Sequence, residues 1–141
     1  MKLSRNFFLN EFTRSHTATR LGLNNEPTAL QVDNLQELIT NVLQPLRDGL
    51  KQEVKISSGF RGVALNKAIG GSKRSQHCKG EAADIDSGSL NEIIFNYIVD
   101  NLEFDQLINE NNFDWIHVSF KSKGNRKQVL KMIKGRYYNV G

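Results

Sequence analysis

Ser75-Gln76-His77-Cys78-Lys79-Gly80-Glu81-Ala82-Ala83-Asp84-Ile85 is the stretch on which the reading of this chain turns. Ser72 to Gly80 is polar with scattered basic residues and reads as a loop. Ala82 to Asp86 reads as a strand. The stretch therefore sets an imidazole on a loop and a carboxylate on the strand that follows, with Gly80 between them. A second imidazole stands in Trp115-Ile116-His117-Val118-Ser119-Phe120. Alternation along that strand puts Trp115, His117 and Ser119 on one face, and Ile116 and Val118 on the other. With the second face in the core, His117 points to the open side of a sheet.

Outward from these two segments, the punctuation is clear. Ala29 to Leu46 carries Leu35, Leu38, Ile39, Val42, Leu43 and Leu46 at helical spacing, opened by Pro27-Thr28, with Pro45 expected to end or kink it. Val54 to Phe60 is short and β-branched, and reads as a strand ended by Gly59. A short helix from Val63 to Ile69 stops at Gly70-Gly71, and Leu90 to Val99 is another helix. Phe104 to Ile108 and Trp115 to Phe120 read as strands joined by the Glu110-Asn111-Asn112 turn. The sum predicts an α+β fold: a small, mostly antiparallel sheet with helices packed on one face, in one domain spanning residues 1–141.

Such a length buries roughly two-thirds of its unfolded surface and needs no disulfide staple. Cys78 is the single cysteine, so an intramolecular disulfide is excluded. The N-terminal MKLSRNFFLNEF is interrupted by Asn10 and Glu11 and does not read as a signal peptide. No apolar run approaches the ~20 residues of a membrane span. Synthesis in the cytoplasm is expected, with no membrane partner, as a monomer. The net charge of +4 and pI near 9.3 favour polyanions such as nucleic acid or an acidic cell wall. Lys121, Lys123, Arg126, Lys127, Lys131, Lys134 and Arg136 crowd the last fifth of the chain and read first as a solvated surface. No nucleic-acid-binding motif is present, so no nucleic-acid partner is expected.

Two histidines and a carboxylate suffice for a catalytic zinc, which takes three protein ligands and leaves one position to water. Spacing alone does not separate such a set from ordinary histidines. The further motifs do more: Ser57-Ser58-Gly59-Phe60-Arg61, Leu65-Asn66, Gly70-Gly71-Ser72, Ser75-Gln76-His77, Gly80 to Ile85, Phe104 to Ile108 and Trp115 to Phe120 follow one another in order. Together they resemble the M15 group of zinc peptidases, the D-Ala-D-Ala carboxypeptidases and phage endolysin peptidases, whose fold is shared by the hedgehog signalling domain. Phe8 to Phe12 through Thr17-Ala18 resembles the leader of phage-encoded members.

The resemblance implies a zinc ion held by His77, Asp84 and His117, and an Arg61 that contacts the substrate carbonyl or its oxyanion. It implies a peptide substrate from bacterial peptidoglycan, met in the cell wall after release or as part of a virion. It also implies a carboxylate that serves as general base near the second histidine. Asp114 has the spacing to His117 seen in endolysin and carboxypeptidase members. Glu110 resembles the carboxylate of phage-type and hedgehog-like members. Strand alternation sets residue 114 opposite His117 and favours Glu110, although both stand as candidates. The alternative reading is a zinc-containing, non-catalytic binding or phage structural domain of the same fold.

Overall fold

Thr28 accepts the Gln31 N–H while the Gln31 side chain returns to the Thr28 N–H, and this capping box starts α3 (Ala29–Leu38). In the computed structural model, which describes residues 1–140, Pro45 neither ends nor breaks the helix. A π turn over Ile39–Leu43 precedes it, closed by the Gln44 N–H donating to the Ile39 carbonyl, and the chain continues as α4 (Gln44–Leu50). A proline lacks the N–H and crowds the carbonyl four residues back, and the wider π register relieves both problems. Shorter helices α1 (Leu9–Thr13), α2 (His16–Leu21) and α5 (Val63–Ala68) flank this element in sequence, and α6 (Asn91–Asn101) follows the first two strands. No described helix is long and apolar enough to cross a membrane. Gly141, the last residue of the expected domain span, lies outside the described residues.

Six strands form one open sheet: β1 (Ile56–Ser58), β2 (Ala82–Ile85), β3 (Gln106–Glu110), β4 (Trp115–Ser119), β5 (Gln128–Ile133) and β6 (Arg136–Asn139). Their order is β1-β2-β4-β3-β5-β6. The α+β class is as expected, but the sheet is mixed, because β3 and β5 run parallel while the other neighbours are antiparallel. The reason is topological. With β2 on one side of β4 and β3 on the other, the returning chain cannot pair with β4 and instead adds at the free edge of β3. Coming back antiparallel to β4 makes it parallel to β3. The β3–β4 connection is a tight turn in which Asn111, Asn112 and Phe113 all hold positive φ, of 48°, 56° and 64°. Asparagine tolerates that region, and the Asn109 side chain accepts the Phe113 N–H at 2.6 Å to hold the turn closed.

One face of the sheet meets the helices. Ala83, Ile85, Leu107, Ile116 and Val118 point into a core with Leu35, Leu38, Leu43, Ile94 and Ile98, all without exposure. Burying each of the larger side chains contributes on the order of 1.5–3 kcal/mol, which is why this face fixes the register of the whole sheet. The alternate residues, Asp84, His117, Ile108 and Glu110 among them, are thereby turned to the opposite, open face.

Candidate metal centre

His77 sits in a 3-10 turn (Gln76–Lys79) opened by Ser75, whose hydroxyl accepts the His77 N–H. The turn ends at Gly80, which holds φ +76°, and whose absent Cβ would lie 2.4 Å from the Gln31 carbonyl oxygen. Glycine is required there on both counts. The His77 imidazole is buried, and its Nδ1 lies 2.6 Å from the Gly59 carbonyl oxygen. A carbonyl can only accept, so Nδ1 carries the proton and the Nε2 lone pair faces inward. Gly59 comes this close because a Cβ there would strike the Phe12 backbone at 2.6 Å, and the Phe60 N–H ties the same point to the Phe12 carbonyl.

Asp84 on β2 and His117 on β4 are register partners, so their side chains stand side by side on the open face. The Asp84 Oδ1 lies 3.2 Å from His77 Nε2 and 3.2 Å from His117 Nδ1. One ligand atom from each of the three residues falls within 4.8 Å of the other two. Ligands at about 2.0–2.1 Å from a tetrahedral zinc stand roughly 3.3 Å apart, so these donors need little adjustment to share one ion. The chemistry fits as well, since an inward imidazole lone pair and a carboxylate oxygen converge on a point that a cation satisfies. Burial pushes the Asp84 carboxyl up, and the two imidazoles beside it, His117 and then His77, outweigh burial and hold it below the usual carboxylate range. The group could hold a metal ion, and Cys78, half-buried with its thiol pushed up by burial, is not part of it.

The three residues form part of the floor of a cavity of about 760 Å³ that also takes in Arg61, Glu110 and Trp115. Arg61 stands on a loop pinned from both sides. Its N–H donates to the His77 carbonyl, and Asn25 bridges the Thr13 and Phe60 carbonyls and the Gly62 N–H. One end of the guanidinium reaches the Ser75 hydroxyl at 3.3 Å, while its Nε is buried without a partner among the described residues. Glu110, at the end of β3, is 7% exposed, and its Oε2 is likewise buried without a hydrogen-bond partner among the described residues. Burial raises the Glu110 carboxyl, the His117 charge opposes that, and the Asp84 charge adds to it, for a net shift upward. Asp114 is placed elsewhere. It is exposed in the turn before β4, does not line the cavity, and its own N–H donates to the Glu110 carbonyl.

A second group, not foreseen from the sequence, braces the loop that carries His77. Asp105 has no exposure, and it accepts the Arg126 N–H at 3.0 Å, Arg126 Nε at 3.0 Å and Nη2 at 2.7 Å. Lys121 Nζ lies 3.7 Å away. Gln76 Nε2 donates to Asp105 at 3.1 Å and to Glu81 at 3.3 Å. Burial favours the neutral acid, but the Arg126 hydrogen bonds prevail and bring the Asp105 carboxyl down to about 2. The basic C-terminal run is thus not simply a solvated face. Lys121 and Arg126 serve Asp105, and Lys127 pairs with Glu103 at 3.7 Å.

Also unforeseen are β5 and β6, which bring Leu130, Met132 and Tyr137 to the cavity. A signal was available. Lys134-Gly135 is a two-residue turn with both φ positive, flanked by Val129-Leu130-Lys131-Met132-Ile133 and Tyr137-Tyr138, which is the pattern of a tight hairpin. The sequence model of the family described as Peptidase M15 matches residues 5–119. No curated protein matches the chain.

Proposed function

The chain belongs to the peptidase M15 family, and from that premise we propose that it hydrolyses a peptide bond in the stem peptides of bacterial peptidoglycan, with a zinc ion held by His77, Asp84 and His117. The observation that carries this reading is the convergence of those three donor atoms within 4.8 Å on the floor of a cavity that also holds Glu110 and Arg61. When bound, a zinc ion supplies Lewis acidity to the scissile carbonyl and lowers the pKa of water in its coordination sphere.

The chain's own residues supply the rest. The Glu110 carboxylate, which lines the cavity and whose proton affinity is raised by burial, takes the proton of the attacking water. It then delivers that proton to the leaving nitrogen. Arg61 keeps a fixed positive charge beside the carbonyl oxygen as negative charge gathers there. The bond between His77 Nδ1 and the Gly59 carbonyl holds the ring in the tautomer that a metal ligand needs. Exposed Asp114 has no part in this scheme. The substrate lies in the wall, so the protein acts there after release on lysis or as part of a virion.

Mass spectrometry of purified peptidoglycan incubated with zinc-loaded protein, beside chelated and His77→Ala samples, tests the proposal. New peptide fragments that vanish in both controls are expected, and their masses name the bond. Zinc bound one to one with no fragments from walls of several chemotypes would instead identify a binding or structural module.

A further inference from the structure

The hairpin of β5 and β6 lies beyond the residues matched by the family, yet it walls one side of the cavity. Register decides which of its side chains face the site. Glu110 on β3 is paired with Trp115 on β4 and with Met132 on β5, and Met132 is paired with Tyr137 on β6. Cross-strand partners share a face, so these four form one row on the open side. The adjacent row, two residues along each strand, runs through Asp84, His117, Ile108 and Leu130. Tyr137 therefore stands two strands from Glu110, roughly 10 Å between backbones at the usual strand spacing. It lines the same cavity as Glu110.

Three properties set Tyr137 apart from its surroundings. The other cavity residues of the hairpin, Leu130 and Met132, are apolar, so its hydroxyl is the hydrogen-bonding side chain that the hairpin brings to the cavity. The residue is exposed on an edge strand, so a ligand can reach it. Partial desolvation where the ring meets the cavity, followed by the negative charges of Glu110 and Asp84, pushes the phenol pKa up, and it stays an O–H donor. The neighbouring Tyr138 alternates to the other face, where the Lys131 ammonium lies 6.0 Å from its ring centroid.

We infer that Tyr137 is a substrate-binding residue whose phenol O–H donates to a carbonyl oxygen of the bound peptide, from the sheet edge opposite the one that carries Arg61. The inference rests on the peptidoglycan reading and assigns the outer end of that substrate's site. A peptide lying across the strands meets Arg61 beyond β1 at one end and Tyr137 on β6 at the other, with Asp84, His117 and Glu110 between.

The test is the steady-state kinetics of zinc-loaded wild type, Tyr137→Phe and Tyr138→Phe on a soluble stem pentapeptide, with zinc content measured for each. Tyr137→Phe should keep its zinc and lose three- to tenfold in kcat/KM, carried by KM, as befits one neutral hydrogen bond. Tyr138→Phe should match wild type. Equal kinetics for Tyr137→Phe and wild type overturns the inference alone, as does an equal loss in Tyr138→Phe. A wild type that cuts neither the pentapeptide nor purified peptidoglycan overturns the peptidoglycan reading and this role with it.

Discussion

Replacing Asp105 with Asn probes how the C-terminal segment braces the candidate site. The carboxylate has no exposure and accepts three hydrogen bonds from Arg126 and one from Gln76. An asparagine can keep its oxygen toward the Arg126 N–H and Nε, but its NH2 then meets Arg126 Nη2 and Gln76 Nε2, donor against donor. Each buried donor left unmatched costs on the order of 1–3 kcal/mol. Arg126 is half exposed and recovers part of its loss in water, so the expected destabilisation is about 2–3 kcal/mol at pH 7.

Part of that cost depends on pH. The Asp105 carboxyl is lowered from 3.8 to about 2. A group whose folded pKa is depressed adds stability above its unfolded pKa and loses it as pH falls through the folded value. A shift of nearly two units corresponds to about 2 kcal/mol, which solvent screening at the half-exposed guanidinium reduces to on the order of 1 kcal/mol. The assay is urea unfolding of metal-free wild type and Asp105→Asn from pH 7 to pH 2. The gap between them should be constant down to about pH 4.5 and then narrow by about 1 kcal/mol. The other titrating groups are common to both proteins and cancel in the difference. A gap that stays flat to pH 2, or a variant as stable as wild type at pH 7, refutes the reasoning.

His77→Ala should lower zinc content from one per chain to near zero and abolish hydrolysis, by metal analysis and the peptidoglycan assay; a zinc-free, active variant excludes the proposed mechanism. Glu110→Gln should keep its zinc and lose on the order of 10²–10⁴ in kcat, while Asp114→Asn stays within a few-fold of wild type; the reverse pattern moves the base to Asp114. Because the Glu110 carboxyl is raised above 4.5 and must be ionised to accept a proton, kcat/KM should fall with acid at a pH above the usual glutamate range. Gly59→Ala, which places a methyl 2.6 Å from the Phe12 backbone, should cost about 1–3 kcal/mol in urea unfolding and weaken zinc binding by shifting the carbonyl that orients His77.

Much of the architecture is legible locally. Helical spacing of leucines marks α3, and alternation in Trp115 to Phe120 marks the buried face of β4, because a single burial requirement stamps a period on consecutive residues. The same alternation places His117 on the open face, where the structure has it. The candidate ligands are named by residue type and order. What they do together is not local, because His77 and His117 are 40 residues apart and meet only through the pairing of β2 with β4. The choice between the two carboxylates is likewise a matter of placement. Glu110 ends a paired strand inside the cavity, and Asp114, four residues on, falls in an exposed turn.

The C-terminal fifth shows where periodicity runs out. Its lysines and arginines look alike in sequence, yet Lys121 and Arg126 are drawn to a buried Asp105, and Lys131 lies against the Tyr138 ring. The parallel pairing of β5 with β3 arises because β4 is already flanked by β2 and β3, and it carries Tyr137 to the cavity. Sequence by itself determined the central helix, the strands that carry the site, their apolar faces and the chemical types of the site, because those depend on neighbours along the chain. Tertiary structure alone decided which polar groups meet, because a contact across the sheet depends on strand order and register, which packing of the whole core sets.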